Sequence, residues 1–529
     1  MTDNSSLLIY SLTKPSAYPH PVENIRVIET HISWVILTGK FAYKIKKSVK
    51  FKFLDFTSLD KRRQFCYREL DLNRRLAPDY YLDIVAIAGD IDSPRIEKDN
   101  QQSDTIEYAV KMKQFPQKNQ LDRLLINNDV TDCQIDQLAE KIAKFHETTK
   151  KCEPNLAFGS AEHISRNSND VYKLTLANII DDKYKKRVTK LSEWTTQSFK
   201  QLEHTFTSRK NKGFIRECHG DLHLANIAIV SQQVVIFDCI EFSDELLWND
   251  VMSEIAFVIM DLDQHQRAEL GFRFLNRYLE ITGDYDGIKI LRYYLVYRAM
   301  VRCMVSCIQL KETKFGKAEL QKVTLDFERY LSLAERYIKH FDNRLIITLG
   351  YSGSGKTTIS QKLLGHLPAI RIRSDVERKR LLGLPETHRA DKTERDFIYS
   401  HHMNESTYKY LATLTYELLD SSYNIIVDAA FLQQERRLQF LELAKLRNKP
   451  FIILYCKTDE KILVNRLEKR KFKNRDASDA NRNVLQKQLA NPINFDTKEL
   501  PFLVTVDTQA DIDIPELYHR ILKINWSFD

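Results

Sequence analysis

Hydrophobic and polar positions change their period several times along the chain, and each change marks an element. IRVIET, HISWVIL and FAYKIKK read as three strands, the last two joined by Thr38-Gly39-Lys40. Alternation in FAYKIKK places Phe41, Tyr43 and Ile45 on one face and Ala42, Lys44 and Lys46 on the other. Before them, residues 1 to 20 read as a lightly ordered lead-in broken by Pro15 and Pro19. A helix is predicted from Leu59 to Leu76, then a polar hairpin tip over 92–103 and a strand, TIEYAVKMKQF, that runs into a linker. From Leu121 the period turns helical, with Ile135, Leu138, Ile142 and Phe145 on one stripe. Residues 171–208 predict a second helical region. IAIV and VVIF then predict two short strands joined by Ser231-Gln232-Gln233, and 264–340 long amphipathic helices. At Arg344 the pattern changes again. RLIITL, AIRIRSD, NIIVDAAF, PFIILYC and LPFLVTVD are short apolar runs separated by helical sequence, an alternation that implies a parallel sheet covered by helices on both faces.

The loop before IAIV carries polar groups at a telling spacing. His219, Asp221 and Asn226 form H-x-D-x-x-x-x-N, and Asp238 stands where the second short strand ends. A kinase catalytic loop uses this layout: one Asp accepts the substrate hydroxyl proton, while the Asn and the later Asp hold Mg²⁺ against nucleotide phosphates. The residues must surround one point without collapsing onto one another, because phosphoryl transfer is mostly positioning and charge neutralisation. Asp, Asn and Gly are also ordinary turn formers, so H-G-D alone would read as a turn. Lys44, preceded by A-x on its strand, resembles the kinase lysine that grips the α and β phosphates, and Glu69 on the next helix is its expected partner. The competing reading makes Lys44, Lys46, Lys47, Lys50 and Lys52 a solvated basic edge. No G-x-G-x-x-G lies between the first two strands.

A second centre follows RLIITL. Gly350, Tyr351, Ser352, Gly353, Ser354, Gly355, Lys356 and Thr357 spell G-x-x-x-x-G-K-[ST] in full between a strand and a helix that continues through Thr358. Glycines let backbone N–H groups curl around phosphates, the Lys reaches the β and γ oxygens, and the Thr takes Mg²⁺. Asp375 and Asp428 end the next two strands, where functional groups gather in such sheets. Asp428 is expected to act on the Mg²⁺ water shell. Asp375 also reads as a helix N-cap. The basic stretch from Arg466 suits an arginine-bearing lid over the triphosphate, with Arg466, Arg470 and Arg475 as candidates, or else a solvated basic helix.

With 529 residues, 43% hydrophobic and 29% charged, the chain has room for three or four lobes and an ample core. A net charge of +8 favours anionic ligands without implying nucleic acid. The basic stretches lack the interleaved aromatics of single-strand platforms, which argues against that partner. Eight scattered cysteines without C-x-x-C suggest a reduced, cytoplasmic compartment. No basic leader opens the chain, and no apolar run approaches the roughly 20 residues that span a bilayer.

HGDLHLAN followed by IFDCIEF resembles the aminoglycoside phosphotransferase and choline kinase group. In that group an Arg and an Asp further on brace the catalytic loop; here Asp250 fits one acidic position, Glu254 stands for an Asp, and Trp248 for the Arg. S-D-V-E-R from Ser374 resembles the D-x-x-R of polynucleotide-kinase, zeta-toxin and gluconate-kinase-like P-loop kinases. That resemblance implies Asp375 as base and Arg378 as substrate or transition-state clamp. The tandem is similar to bacterial two-domain proteins that fuse the two. The implied fold is an α+β kinase-like bilobal domain, with an N-lobe over 1–113 and a C-lobe over 114–341, followed by an α/β P-loop NTPase domain over 344–529. The implied activity is ATP- and Mg²⁺-dependent phosphoryl transfer to a small-molecule hydroxyl at two sites. An ATP-driven regulator and a polynucleotide-type kinase are the alternatives.

Overall fold

Strands β1 (Arg26–Glu29), β2 (Ser33–Leu37) and β3 (Phe41–Lys46) form where alternation predicts them. The computed structural model describes residues 4–524 apart from 52–53, 100–103, 180, 312–315, 340–341 and 474–481. Helix α1 (Leu59–Arg74) starts at Ser58, whose hydroxyl accepts from the Lys61 N–H. Strands β4 (Tyr81–Asp90), β5 (Ser93–Lys98) and β6 (Thr105–Lys113) complete a six-stranded sheet in the order β1-β2-β3-β6-β4-β5, with every neighbour antiparallel. One face packs on α1 through Ile84, Ala86, Tyr108 and Val110 against Cys66 and Leu70. The other presents Tyr43, Ile45, Val85 and Ile87.

That second face explains a departure from expectation. Residues 1–20 contain helix Asn4–Ser11, and its Leu8 and the Leu12 that follows it are buried in one cluster with Tyr43 and Ile45. An apolar sheet face needs a cover, and the lead-in supplies it. The polar tip expected over 92–103 likewise contains a full strand, β5, whose Pro94 and Ile96 alternate inward. The acute turn is confined to Asp90–Ser93.

Helix α2 (Asp132–Thr148) opens with a capping box between Thr131 and Gln134. A short pairing of Ile215–Glu217 with Trp248–Asp250 flanks the polar loop, and β7 (Ile227–Val230) and β8 (Gln233–Ile236) form the hairpin behind it. Its turn residues Ser231 and Gln232 both take positive φ (50° and 64°), the backbone that matches the strands' twist. Helix α3 (Val251–Gln264) follows.

The helices α4 (Ala268–Thr282), α5 (Ile288–Gln309) and α6 (Lys317–Tyr337) precede the second sheet. It comprises β9 (Leu345–Leu349), β10 (Ala369–Arg373), β11 (Asn424–Asp428), β12 (Phe451–Lys457) and β13 (Leu503–Asp507) in the order β10-β11-β9-β12-β13, all parallel. Helix α7 (Lys356–Leu363) follows β9. Helices α8 (Ser374–Leu381) and α9 (His401–Leu418) lie between β10 and β11, and α10 (Arg482–Leu489) between β12 and β13. Ile346, Ile426, Ile452 and Val504 from the strands meet Ile359, Leu363, Leu517 and Ile521 from helices in its core.

The chain separates into two compact units, Met1–Asp170 with Glu203–Asp261, and Val171–Leu202 with Leu262–Asp529. The boundary expected near 341–344 falls inside the second. All eight cysteines are free, and only Cys133, in the first turn of α2, is exposed. Among the described residues no helix is long and apolar enough to cross a membrane.

Candidate active sites

In the first unit, β3 and α1 bring opposite charges together. Glu69 lies 2.8 Å from Lys44 Nζ and 2.7 Å from Lys46 Nζ; Lys44 also pairs with Asp238, and Lys46 with Glu241. The result is one alternating run, Asp238–Lys44–Glu69–Lys46–Glu241. It is buried except at Asp238, whose side chain is 44% exposed. Burial pushes the Glu69 carboxyl up, but Lys44 and Lys46 outweigh it and hold it at about 2. Burial alone would also lower Lys44; Asp238, Glu69 and Glu241 instead hold it well above the usual lysine value. Both lysines and Glu69 are therefore charged at neutral pH, while burial pushes the Glu241 carboxyl up against the pull of Lys46.

Asp238 itself sits in the left-handed region, at φ 67°. Its N–H donates to the Tyr81 hydroxyl (3.1 Å), and the next N–H, of Cys239, to Asn73 Oδ1 (2.9 Å). A non-glycine residue in this conformation is held by its surroundings at some energetic cost, a frequent feature of functional positions.

Hydrogen bonds tie Asn226 both to Asp221 and to the residue before Asp238. The Asn226 carbonyl accepts from the N–H of Phe237, the neighbour of Asp238. Its side-chain Nδ2 donates to the Asp221 carbonyl (3.0 Å), which turns Oδ1 the other way. The Asp221 carboxylate is 39% exposed and lies 3.4 Å from His223 Nε2. His219 is a support: its Nε2–H donates to Phe237 O (2.8 Å) and its Nδ1 accepts from the Asp221 N–H (3.3 Å), while burial lowers its pKa and keeps it neutral.

Glu254 braces the loop from beneath. It accepts from the N–H groups of His219 (2.8 Å) and Gly220 (2.9 Å) and from His146 Nε2 (3.1 Å). Burial raises its carboxyl, but the hydrogen bond from His146 and the N–H groups of the loop prevail and hold it at about 2. The guanidinium missing at Trp248 comes from elsewhere: Arg209, fully buried, makes a two-pronged pair with Asp250 at 2.8 Å. His146, Cys218 and Glu254 also have metal-ligand spacing. Glu254 is committed to N–H donors, however, and burial holds the Cys218 thiol protonated, so the trio is a brace.

In the second unit the loop after β9 curls as its glycines allow. Gly350, Gly353 and Gly355 have φ of 148°, 85° and 87°. A Cβ on Gly350 would lie 2.6 Å from Ser354 Oγ and 2.7 Å from the Cys456 carbonyl, so only glycine fits there. The loop delivers its N–H groups to the N-terminus of α7. Lys356 Nζ donates to the carbonyls of Gly350 (2.9 Å) and Tyr351 (2.8 Å). The Ser352 N–H donates to Gln488 Oε1 on α10 (2.8 Å). Thr357 is partly buried in the first turn and Thr358 points to solvent. Asp428, at the end of β11, lies 3.2 Å from Ser360 Oγ on α7.

Asp375 stands inside α8 rather than capping it. Its carboxylate pairs with Arg378 Nη1 (2.7 Å) and lies 3.4 Å from the Tyr399 hydroxyl. Arg378 also donates to Asn404 Oδ1 (3.1 Å), with its guanidinium 4.9 Å from the Tyr399 ring centre. Arg466 holds the loop at Gly353 O (3.4 Å) and at Thr508. The Arg470 side chain and Arg475 lie outside the described residues.

Lys46, Glu241, Tyr399, Asn404 and Gln488 were not read as functional from the sequence. Lys46 had a signal, since it shares the Lys44 face of β3; the others are placed by tertiary packing alone.

A family model described as an AAA domain matches residues 345–492. An uncharacterized protein of Mycobacterium tuberculosis is 27% identical over 463 residues, covering 87% of this chain and 89% of its own. Among solved structures, amicoumacin kinase in complex with AMP-PNP, Ca²⁺ and Ami is similar over 64% of this chain and 96% of its own, at 12% identity and TM-score 0.39. Chaetomium thermophilum Kti12 in complex with ADP-AlF₃ is similar over 34% of this chain and 98% of its own, at 16% identity and TM-score 0.27. The chain thus carries a six-stranded antiparallel sheet in its N-terminal part and a five-stranded parallel sheet in its C-terminal part, and the AAA domain match lies on the latter.

Proposed function

We propose that the protein is an ATP- and Mg²⁺-dependent phosphotransferase with two nucleotide sites, each directed at a small-molecule hydroxyl. The observation that carries this reading is Asp238. One carboxylate, on left-handed backbone, pairs with the β3 lysine and adjoins the Asn226 and Asp221 loop.

The donor sets suit magnesium. Asn226 Oδ1 and the half-exposed Asp238 carboxylate are hard oxygen donors in the first site; the Thr357 hydroxyl, with Asp428 behind it, plays that part in the second. Magnesium would supply charge neutralisation between the β and γ phosphates. In the first site Lys44, aimed by Glu69, grips the nucleotide's phosphates, and Asp221 takes the proton of the acceptor hydroxyl. In the second the loop N–H groups and Lys356 hold the triphosphate. Asp375 receives the acceptor proton there, and Arg378 clamps the acceptor or the transferring group. Free, mostly buried thiols accord with a cytoplasmic setting.

The test uses the full chain with [γ-³²P]ATP and a metabolite extract. Asp221→Asn and Lys356→Ala are each expected to abolish a different labelled product, by about 10²-fold or more. Phosphate release indifferent to every acceptor would point instead to an ATP-driven regulator, and label on an oligonucleotide 5′ end to a polynucleotide-type kinase. If neither variant changes label transfer, the assignment is wrong.

A further inference from the structure

Helix α4 lies outside the P-loop motif, yet its last turns meet that site in three places. Asn276 is buried and treats the outer edge of β10 as a neighbouring strand would: its Nδ2 donates to the Ala369 carbonyl (2.9 Å) and its Oδ1 accepts from the Arg371 N–H (2.6 Å). The outer edge of the parallel sheet is thereby capped at these two backbone groups.

One turn later, Glu280 is buried among arginines. It lies 2.7 Å from Arg371 Nη2, 3.3 Å from Arg373 Nη1 and 3.6 Å from Arg277 Nη1. Burial raises its carboxyl, but Arg373, Arg371 and Arg277 overcome that and hold it at about 2. The other arm of Arg371 donates to Ser360 Oγ (3.3 Å) and to the Thr357 carbonyl (3.4 Å). Ser360 Oγ in turn lies 3.2 Å from Asp428. A polar chain thus runs from α4 to the first turn of α7 and to the acid at the end of β11.

The end of α4 also grips α8. Arg380 donates to the carbonyls of Glu280 (2.6 Å), Ile281 (3.2 Å) and Leu279 (3.4 Å), capping the helix's C-terminus with a cation. Gly283, at φ 69°, makes room: a Cβ there would come within 2.8 Å of that guanidinium. Arg380 Nε then pairs with Glu377 (2.9 Å), whose second oxygen accepts from the Tyr285 hydroxyl (2.9 Å). Asp375 and Arg378 stand on this same helix.

We infer that residues 276–285 are an integral wall of the P-loop site, in which Glu280 positions the phosphate and metal side through Arg371 and Tyr285 positions the base-bearing helix through Glu377. The inference rests on the phosphotransferase reading of that site. Glu280 and Tyr285 are positioning residues; neither is placed to touch nucleotide or acceptor.

The experiment compares Glu280→Gln, Tyr285→Phe and Lys356→Ala in the full chain carrying Asp221→Asn, following ATP consumption against MgATP and against Mg²⁺. Lys356→Ala defines the activity belonging to the P-loop. Glu280→Gln, which keeps shape and removes charge, is expected to raise the Mg²⁺ needed for half-maximal rate about tenfold or more. Tyr285→Phe is expected to lower kcat between about ten- and hundredfold while KM for MgATP stays within twofold. That split separates positioning from general loosening of the fold. If Glu280→Gln does not fold, Tyr285→Phe alone decides. Variants indistinguishable from the parent in both measures overturn the inference while leaving the P-loop reading intact. A parent activity indifferent to Lys356→Ala overturns that reading and the inference with it.

Discussion

Glu69 carries two lysines at once, and its neighbours differ in what they do. Lys44 pairs with the half-exposed Asp238, while Lys46 is enclosed between Glu69 and Glu241. Lys44→Ala is therefore expected to remove phosphate grip, lowering kcat/KM for the Asp221-dependent activity by about 10²-fold or more. Lys46→Ala leaves two buried carboxylates facing each other with one cation fewer. The expected outcome is a stability loss of about 3–5 kcal/mol, read by urea denaturation. Alternation along FAYKIKK put both lysines on one face, and Lys44 was legible because a motif accompanied it. Lys46 read equally well as a solvated edge. Its burial depends on Glu241, 195 residues away, and no local pattern encodes that contact.

The loop from His219 to Asn226 is held at its start by the buried Glu254, which makes its stability depend on pH in a definite direction. The Glu254 carboxyl is shifted down from 4.5 to about 2. A depressed acid stabilises fully above its unfolded value and loses that contribution as pH falls through the folded one. The melting-temperature difference between wild type and Glu254→Gln should thus be constant above about pH 5 and shrink progressively between 4.5 and 2. A difference independent of pH would remove Glu254 as the charged brace. At this scale the strands, the hairpin and the P-loop were legible, because period and glycine placement are local properties. The N-terminal helix was not. Pro15 and Pro19 just beyond it obscured it, and Leu8 and Leu12 declare themselves only once the sheet face they cover exists.

Across the whole molecule the break in pattern at Arg344 was plain, since a buried parallel strand differs sharply from an amphipathic helix. What the pattern could not convey is that the helices just before it cluster with the sheet that follows. A fragment beginning at 344 would leave Arg371, Arg373 and Arg380 without Glu280 and the α4 carbonyls, and the β10 edge without Asn276. Such a fragment is expected to self-associate and to melt below the corresponding transition of the full chain, as sedimentation and calorimetry would report. A monomeric fragment of undiminished melting temperature would count against this grouping.

The distribution of thiols has a practical corollary. Seven are enclosed, and Cys133 alone meets solvent, beside the first turn of α2. A single maleimide dye should therefore tag the native sequence at one known spot, so that fluorescence anisotropy could follow ligand titrations without any engineered handle.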